Sequence, residues 1–358
     1  MSVRVAIVGL GWAGRELWLP LLREHADFDV VAVTDTEPAA RAAFDRALGI
    51  PVHATVDALT PRTVDLAVVA VPNFLHAEVA ANLLARGISV FLEKPVCLTS
   101  DEADTLAAAE RAGGATLLAG SAAPYRSDVG ALAQLVPDLG HIRHIDLSWV
   151  RARGIPKAGG WFTQRSKAGG GVLFDLGWHL LDTLASLLGP SRFTQVVGVT
   201  ANDFVNMGSW SAAWRQDQPA ADAGGDVEDT ARGFFVREDG VSVALHASWA
   251  SHEARDVSTI QVVGSAGTAE LRCTFGFSPN RQPQSVLTLT REGTTTTLPV
   301  PDEPIGNEYR RQLDGLAGIL RDPASRGRSI AEARTTVRVI EDFYASARSV
   351  RARSVVPA

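Results

Sequence analysis

Two groups of ionisable side chains have residue types and spacing suited to acid–base chemistry. The first is Lys94, one of only three lysines among 34 basic residues, and an amine can release its proton where a guanidinium cannot. The second is Asp175, His179 and Asp182, whose offsets place them on one helical face. A histidine beside carboxylates suits proton transfer with a hydroxyl group. A lysine at a strand end or a histidine held by a local acid can equally be structural.

A glycine-rich loop at residues 9–14 follows a β-branched segment and opens a helical one. Its pattern is G-x-G-x-x-G, in which main-chain N–H groups and a helix N-terminus hold a pyrophosphate. Asp35 ends the second strand-like segment, where a carboxylate would bind the hydroxyls of an adenosine ribose. Because Asp35 and Glu37 would repel a 2′-phosphate, the pattern favours NAD over NADP. The residues of this region expected to bind the cofactor are Gly9, Gly11, Trp12, Ala13, Gly14 and Asp35.

Two later strand-like segments end in polar residues that belong near the same cofactor. One ends in Val71-Pro72-Asn73 with His76 shortly after, and the other ends in Glu93-Lys94-Pro95. Ligands of open α/β sheets bind at the carboxyl ends of the strands, and Pro95 restricts the backbone of Lys94. The cofactor-binding residues expected here are Val71, Pro72, Asn73, His76, Glu93 and Lys94.

The elements around these residues predict an α/β domain followed by an α+β domain. Up to about residue 120, short apolar strands alternate with helices, which is typical of a doubly wound parallel sheet. Beyond residue 122 one long helix, 172–188, is followed by a run of strands with hairpin turns and two final helices. This order predicts an open, mostly antiparallel second sheet. We place an NAD-binding domain at residues 1–122 and a substrate and oligomerisation domain at residues 123–358.

Composition excludes several classes of protein. The net charge of −6 argues against a nucleic-acid partner, and no apolar run reaches the length of a membrane helix. Two cysteines make neither a disulfide framework nor a zinc cluster, and His141 and His144 lack a third metal ligand. The N-terminus enters a strand without a charged leader and cleavage site. We therefore expect a cytoplasmic protein with no metal and no membrane partner.

Jointly, these motifs resemble the Gfo/Idh/MocA oxidoreductases, the family of glucose–fructose oxidoreductase, inositol dehydrogenase and rhizopine-catabolism proteins. The resemblance covers nearly the whole chain and rests on the glycine loop, residues 71–76, 93–95, 170–182, 228–231, 248–250 and 264–268. It implies a Rossmann domain, then a domain whose open, mostly antiparallel sheet packs homodimers or homotetramers. It also places Lys94, Asp175 and His179 at the family's catalytic positions, with Asp182 in support.

The implied reaction is oxidation of a secondary ring hydroxyl of a sugar, amino sugar or cyclitol to a ketone, with hydride transfer to NAD. His179 would take the hydroxyl proton, Lys94 would stabilise the developing alkoxide, and Asp175 would orient substrate and imidazole. Two alternatives stay open. One is a ketoreductase that acts on a nucleotide sugar, and the other is a dinucleotide-binding regulator, although regulators tend to lose the lysine–histidine pair that this chain keeps.

Two regions that help shape the family's active site depart from its pattern here. Ala123-Pro124 precede Tyr125 where the family often has an arginine, and Trp161-Phe162 replace an aromatic–arginine pair, with Arg165 three residues later. The substrate-binding residues are expected to be Lys94, Tyr125, Trp161, Asp175 and His179.

The segment from Trp210 to Asp229 carries two tryptophans and a series of acidic residues. Indole rings suit the apolar faces of sugars, and carboxylates suit ammonium groups. A cationic amino sugar, such as an aminoglycoside intermediate, fits this segment better than a nucleotide sugar does, while a solvated acidic loop is the simpler interpretation. The residues concerned are Trp210, Trp214, Asp217, Asp222, Asp226, Glu228 and Asp229.

Overall fold

The computed structural model describes residues 2–44, 48–212 and 224–354, which belong to two compact units. The first unit contains Met1–Ser121 and Tyr309–Arg334, and the second contains Ala122–Glu308 and Thr335–Ala358. The change of unit after residue 121 lies next to the domain boundary expected from the sequence. The segment Tyr309–Arg334 differs from that expectation, because it belongs to the first unit and not to the second.

A six-stranded parallel sheet forms the centre of the first unit. Its elements are β1 (Val3–Val8), α1 (Leu19–Glu24), β2 (Phe28–Thr34), α2 (Pro38–Ala43), β3 (Val52–His53), β4 (Leu66–Val69), α3 (His76–Ala85), β5 (Ser89–Glu93), α4 (Ser100–Gly113) and β6 (Leu117–Gly120). The spatial order is β3-β2-β1-β4-β5-β6, and every pairing is parallel. Strand β4 is buried along its whole length, as a strand covered on both faces must be. The predicted doubly wound sheet is confirmed, and its ligand crevice is expected where the order reverses between β1 and β4.

Helix boundaries in the first unit follow local signals in the sequence. The Thr99 hydroxyl accepts the N–H of Glu102 at 3.1 Å, and the Glu102 carboxylate accepts the N–H of Leu98 at 2.6 Å. These two hydrogen bonds form a capping box at α4, with the glutamate reaching one residue further back than in the usual motif. The helix expected from residue 14 begins as a π-helix over Ala13–Trp18 and continues as α1.

An eight-stranded mixed sheet forms the centre of the second unit. Its elements are α5 (Ser127–Leu135), β7 (Ile142–Val150), α6 (Arg165–Ala168), α7 (Trp178–Leu188), β8 (Phe193–Ala201), β9 (Thr230–Arg237), β10 (Ser242–Ser248), β11 (Val257–Gly264), β12 (Gly267–Cys273), β13 (Val286–Arg291) and β14 (Thr294–Leu298). Two further helices, α8 (Asn307–Arg321) and α9 (Arg328–Ser354), follow β14. The order is β14-β13-β12-β11-β7-β10-β9-β8. Strands β7 and β10 run parallel, and the other six pairings between these strands are antiparallel. The predicted open, mostly antiparallel sheet is confirmed.

Helix α8 explains why part of the C-terminal segment belongs to the first unit. The ring of Tyr309 meets the buried ring of Trp18 edge-on at 5.6 Å. The side-chain amide of Gln312 donates to the carbonyl oxygen of Ala119 at 2.9 Å, and Arg310 forms an ion pair with Glu24 at 2.7 Å. The partners in each of these contacts are at least 193 positions apart in the sequence, so no local pattern could indicate the contacts.

The two faces of the second sheet have different surroundings. On one face, Gly198 and Gly233 lie against the ring of Phe343 from α9, and a Cβ at either position would come within 2.7 Å of that ring. The other face, called here the open face, carries large apolar side chains that are about half exposed in one chain. They are Val197, Val199 and Phe234, with 55%, 47% and 47% of their surface exposed.

Three elements of the second unit were not expected from the sequence: strand β7 and helices α5 and α6. Strand β7 alternates buried residues with polar residues on the open face, and Arg143, His144 and Asp146 obscure its period of two.

The helical stretch Arg165–Leu188 has the length and apolar composition of a membrane span, but 67% of its most apolar window is buried inside the protein. That degree of burial is typical of a core helix.

Candidate active site

The glycine-rich loop connects β1 to the next helix in a conformation that needs glycine at two of its three positions. Gly9 has a φ of +97°, and a Cβ there would lie 2.5 Å from the carbonyl oxygen of Ala70. A Cβ at Gly14 would lie 1.9 Å from the carbonyl oxygen of Gly9. A Cβ at Gly11 would meet no heavy atom within 4 Å. Gly11 therefore borders open space at the helix N-terminus, and this opening fits a pyrophosphate held by main-chain N–H groups.

Asp35 stands at the end of β2 and is tied to the same loop. One carboxylate oxygen accepts the N–H of Leu10 at 2.7 Å, and the other accepts the N–H of Glu37 at 2.8 Å. Because each carboxylate oxygen can accept a further hydrogen bond, Asp35 can also bind ribose hydroxyls. The guanidinium of Arg41 donates to the carbonyl oxygens of Asp35 at 2.7 Å and of Thr36 at 2.9 Å, which brings a cation beside this position.

The imidazole of His76 joins the ends of two neighbouring strands. Nδ1 lies 2.7 Å from the carbonyl oxygen of Pro95, and Nε2 lies 2.8 Å from the carbonyl oxygen of Val71. The side chain is buried, and this burial lowers its pKa although both carbonyl contacts favour the protonated ring. The imidazole thus holds the turn that follows Lys94, and the expected contact of His76 with the cofactor stays a prediction.

Strand β5 ends at Glu93 and Lys94 follows it, and the glutamate side chain is bound within the first unit. One carboxylate oxygen accepts the indole N–H of Trp18 at 2.6 Å, and the other accepts the main-chain N–H of Lys94 at 3.2 Å. Burial raises the pKa of Glu93, while the indole hydrogen bond and the charge of Lys94 oppose the rise. Lys94 itself is half-buried, and its peptide bond to Pro95 is cis.

In the second unit, Asp175 and His179 lie on consecutive turns of one buried helix. Residues Leu173–Gly177 form a π-helical segment that continues into α7. The Asp175 carboxylate accepts the indole N–H of Trp249 at 2.9 Å, and the His179 ring lies 5.6 Å from the ring of Trp149. The shared-face prediction assumed α geometry throughout. A π turn holds more residues than an α turn, so Asp175 is rotated from its α-helical position.

The remaining predicted residues divide between the two units. Trp12 is exposed, Ala13 is half-buried and Asn73 is buried in the first unit, while the turn Ala123–Tyr125 packs against α7 in the second. Trp161 pairs with the neighbouring ring of Phe162 at 4.2 Å. Lys94 and His179 belong to different units, so their convergence on one substrate stays a prediction. Among the described residues, no group of three or more His, Cys, Asp or Glu side chains is arranged to hold a metal ion.

Two residues of the acidic segment, Glu228 and Asp229, differ from both sequence interpretations, whereas Asp226 is exposed. Glu228 and Asp229 are almost fully buried, and Asp229 accepts the N–H groups of Phe204 at 2.6 Å and Val205 at 2.9 Å. These two carboxylates are bound by the protein, so they neither form a solvated loop nor face a cationic sugar. Trp214, Asp217 and Asp222 lie outside the described residues.

Sequence reasoning did not identify Trp149 and Trp249 as residues of the site. Each stands at the carboxyl end of one member of the parallel strand pair β7 and β10, Trp149 as the penultimate residue and Trp249 just after the last. The sequence feature that could have indicated them is a tryptophan at the matching ends of two strands. It was not usable because β7 had not been recognised as a strand.

The fold, the glycine loop and the Asp175–His179 helix together define a dinucleotide-binding oxidoreductase with a separate second domain. Residues 3–121 match the family described as "Oxidoreductase family, NAD-binding Rossmann fold", and residues 136–270 match the "GFO/IDH/MocA C-terminal domain". The chain belongs to the Gfo/Idh/MocA oxidoreductase family.

Individual relatives act on sugars or belong to pathways that make sugar-containing products. The chain is 73% identical over 358 residues to a protein of Amycolatopsis mediterranei described as "Putative UDP-kanosamine synthase oxidoreductase subunit". The alignment covers 100% of this chain and 99% of the relative. It is 28% identical to the D-glucoside 3-dehydrogenase of Escherichia coli over 69% of this chain and 70% of that one. The crystal structure of GenD2 from gentamicin A biosynthesis, in complex with NAD, has a TM-score of 0.75 and 25% identity, with 97% of this chain and 94% of that chain covered.

Proposed function

We propose that this protein oxidises a secondary ring hydroxyl of a UDP-hexose to a ketone, with NAD as the hydride acceptor. The observation that carries the proposal is the 73% identity to the Amycolatopsis relative over the whole length of both chains. Kanosamine is an amino sugar, and an amino group replaces a hydroxyl most directly through a ketone. An oxidoreductase partner of such a synthase therefore supplies the ketone that a separate enzyme aminates. This proposal replaces the free aminoglycoside intermediate that the acidic segment had suggested.

The proposed chemistry assigns one task to each of three side chains. His179 takes the proton of the sugar hydroxyl on an imidazole nitrogen, because histidine titrates near neutral pH. Lys94 donates a hydrogen bond to the oxygen as negative charge develops on it. Asp175, held by Trp249, orients the substrate and the imidazole. A bound NAD would supply the acceptor for the hydride that leaves the carbon bearing the hydroxyl.

The preference for NAD rests on Asp35. Its carboxylate is bound to the glycine loop through Leu10, and a 2′-phosphate at the ribose would meet this charge and that of Glu37. Among the described residues, Arg41 is a nearby cation that would favour a 2′-phosphate, but its guanidinium already donates to two carbonyl oxygens. We expect kcat/KM with NAD to exceed that with NADP by at least about tenfold, which corresponds to about 1.4 kcal/mol.

A substrate screen tests the proposed reaction. UDP-glucose, free glucose, a free inositol and an aminoglycoside intermediate are each incubated with NAD or NADP, and the absorbance of the reduced nicotinamide is followed. A carbonyl-trapping reagent such as hydroxylamine is included because the ketone would otherwise accumulate only slightly. Reduction of NAD with UDP-glucose alone supports the proposal. Turnover of a free sugar or cyclitol, with no turnover of UDP-glucose, would overturn the choice of substrate.

We also propose that the protein is a cytoplasmic homodimer or homotetramer assembled through the open face. Val197, Val199 and Phe234 are about half exposed there, and apolar side chains clustered on one sheet face are typical of a contact surface. A second copy presents the same face, so a two-fold axis would bury both sets together.

A further inference from the structure

Glu228 satisfies three consecutive main-chain N–H groups at the start of the helix that carries Asp175 and His179. Its carboxylate oxygen Oε1 accepts the N–H groups of Gly171 at 2.9 Å and Leu173 at 3.2 Å, and its carbonyl oxygen accepts the N–H of Val172 at 3.1 Å. The first N–H groups of a helix have no partner within the helix. One residue from the region before β9 therefore supplies most of the N-terminal cap.

The capping carboxylate is held in turn by two further side chains. The Tyr344 hydroxyl donates to Oε1 at 2.6 Å, and the Arg165 guanidinium pairs with Oε2 at 3.2 Å while its carbon lies 5.2 Å from the centre of the Tyr344 ring. Burial and the neighbouring carboxylate raise the pKa of Tyr344, so the hydroxyl keeps the proton that it donates. Glu228 is 2% exposed. The contacts join one buried anion, one buried phenol and one cation, Arg165, whose side chain is partly exposed.

This cluster explains two glycines of the motif that precedes the helix. A Cβ at Gly170 would lie 2.0 Å from the Tyr344 hydroxyl, and a Cβ at Gly171 would lie 1.9 Å from the carbonyl oxygen of Glu228. The glycines therefore permit close approach of the helix start to Glu228 and Tyr344. Glycine is required at both positions because of these close contacts within the second unit.

The C-terminal end of α7 is bound by a residue at the C-terminal end of β9. Arg237, the last residue of β9, donates to the carbonyl oxygens of Leu188 at 3.3 Å and Gly189 at 3.1 Å and pairs with Asp239 at 2.9 Å. An anion at the helix N-terminus and a cation at its C-terminus both interact favourably with the helix dipole. Strand β9 thus runs alongside the helix and presents a complementary charge at each end.

The hairpin of β9 and β10 also fixes the Asp175 side chain. Ser248 at the end of β10 pairs with Thr230 at the start of β9, and the N–H of Trp249 donates to the carbonyl oxygen of Asp229 at 2.8 Å. Glu228 and Trp249 consequently stand at the same end of the hairpin. One holds the helix start and the other holds the carboxylate of Asp175.

We propose that Glu228, fixed by Tyr344 and Arg165, is a positioning residue that sets the placement of Asp175 and His179 for proton transfer. It acts through the helix and does not itself touch the substrate. The kinetic part of this inference rests on the proposed oxidoreductase function, while the structural part concerns the second unit alone. A misplacement of about 1 Å at a reacting group can reduce turnover about 100-fold, so loss of this cap is expected to appear in kcat.

The test compares Glu228→Ala and Glu228→Gln with Arg237→Met, which removes the contact at the far end of the same helix. Hydrogen exchange followed by mass spectrometry is measured first, since it needs no substrate. Glu228→Ala should accelerate amide exchange over residues 171–179 about tenfold or more, and Arg237→Met should leave that segment unchanged. Glu228→Gln keeps one acceptor oxygen and should give an intermediate result. Unchanged exchange in Glu228→Ala would overturn the proposal.

The kinetic comparison then separates positioning from general stability. Glu228→Ala should lower kcat about 30-fold or more with the KM for NAD unchanged, because the cofactor loop lies in the first unit. Glu228→Gln should recover part of kcat, and Arg237→Met should keep kcat within about twofold of the parent. Equal losses of kcat in Glu228→Ala and Arg237→Met, or an unchanged kcat in Glu228→Ala, would refute positioning. If the parent protein turned over no sugar at all, the proposed function would fail, while the exchange data would still decide whether Glu228 holds the segment.

Discussion

The carboxylate of Asp175 accepts a hydrogen bond of 2.9 Å from the indole Nε1 of Trp249, and both residues are buried. The indole comes from the end of β10, whereas the carboxylate comes from the π-helical segment that leads into α7. The indole donor satisfies an oxygen of this buried side chain, and it also selects the orientation of the carboxyl group. Asp175 is thereby held on the helix that presents His179.

Replacement of Trp249 by phenylalanine should separate this hydrogen bond from simple packing. The variant removes the indole donor from a buried carboxylate oxygen, so we expect a loss of about 1–3 kcal/mol in the free energy of unfolding and a fall in kcat of about tenfold. Trp178→Phe is the control, since Trp178 is equally buried in the same unit and stacks on Phe174. If both variants lowered kcat to the same extent, the hydrogen bond would have no specific role. Urea unfolding and steady-state kinetics provide the two measurements.

Alanine at two positions of the glycine loop should have opposite consequences. At Gly11 the new methyl group meets no protein atom within 4 Å, so stability should change by less than about 0.5 kcal/mol while the dissociation constant for NAD rises about tenfold or more. At Gly14 the methyl group would lie 1.9 Å from the carbonyl oxygen of Gly9, so the free energy of unfolding should fall by about 3 kcal/mol. Thermal unfolding and NADH fluorescence titration distinguish the two cases. Unaltered NAD affinity in Gly11→Ala would contradict the assigned cofactor site.

Removal of the Lys94 amine should abolish turnover but leave cofactor binding nearly intact. Lys94→Ala deletes the hydrogen-bond donor proposed for the developing alkoxide, and a fall in kcat of about 100-fold or more is expected. Lys167→Ala serves as the matched control, because Lys167 is an exposed lysine of α6. Single-turnover kinetics and NADH titration are the measurements. Parent-like turnover in Lys94→Ala would show that this amine is not part of the catalytic machinery.

The free energy of unfolding should decrease as the pH is lowered, and we expect His246 on β10 to contribute to this decrease. Burial and the guanidinium of Arg232, which faces it from β9, lower the pKa of His246 to about 4, whereas the ordinary value is 6.5. Between these values the unfolded chain binds more protons than the folded one, so the free energy of unfolding rises with pH, by at most about 1.4 kcal/mol per pH unit for one group. His246→Asn should flatten this slope between pH 4 and 6.5.

The control for the pH experiment is His141→Asn, which changes an exposed histidine before β7. Urea unfolding at several pH values gives the slope for each variant. If His246→Asn and the parent lost stability in parallel, other groups, such as the buried His76, would account for the acid sensitivity.

A charge on the open face should weaken self-association. Phe234→Glu places a carboxylate on the sheet face proposed to bury a second copy, and we expect the protein to shift to monomers at micromolar concentration. Ile305→Glu is the matched control, since Ile305 is 53% exposed and lies outside both sheets. Sedimentation velocity measures the assembly state. A monomeric parent protein would contradict the proposed homo-oligomer.

Much of the first unit could be predicted because its signals are local. The β-branched runs indicated the strands, and the glycine spacing located the turn at β1. Each of these features depends on residues within a few positions of one another, and the parallel sheet follows from their alternation. The second unit was harder to predict, because β7 carries polar residues on its open face and its apolar period is difficult to recognise.

The sequence by itself determined the two classes of sheet, the glycine loop and the residue types available for proton transfer. Tertiary structure alone decided that Glu228 caps the helix of Asp175 and His179, that Trp249 holds Asp175, and that α8 joins the first unit. These partners are separated by 50 residues or more, and their identities depend on which buried polar group is left without a local hydrogen-bond partner. Such pairings arise when strands and helices pack, and no periodicity along the chain encodes them.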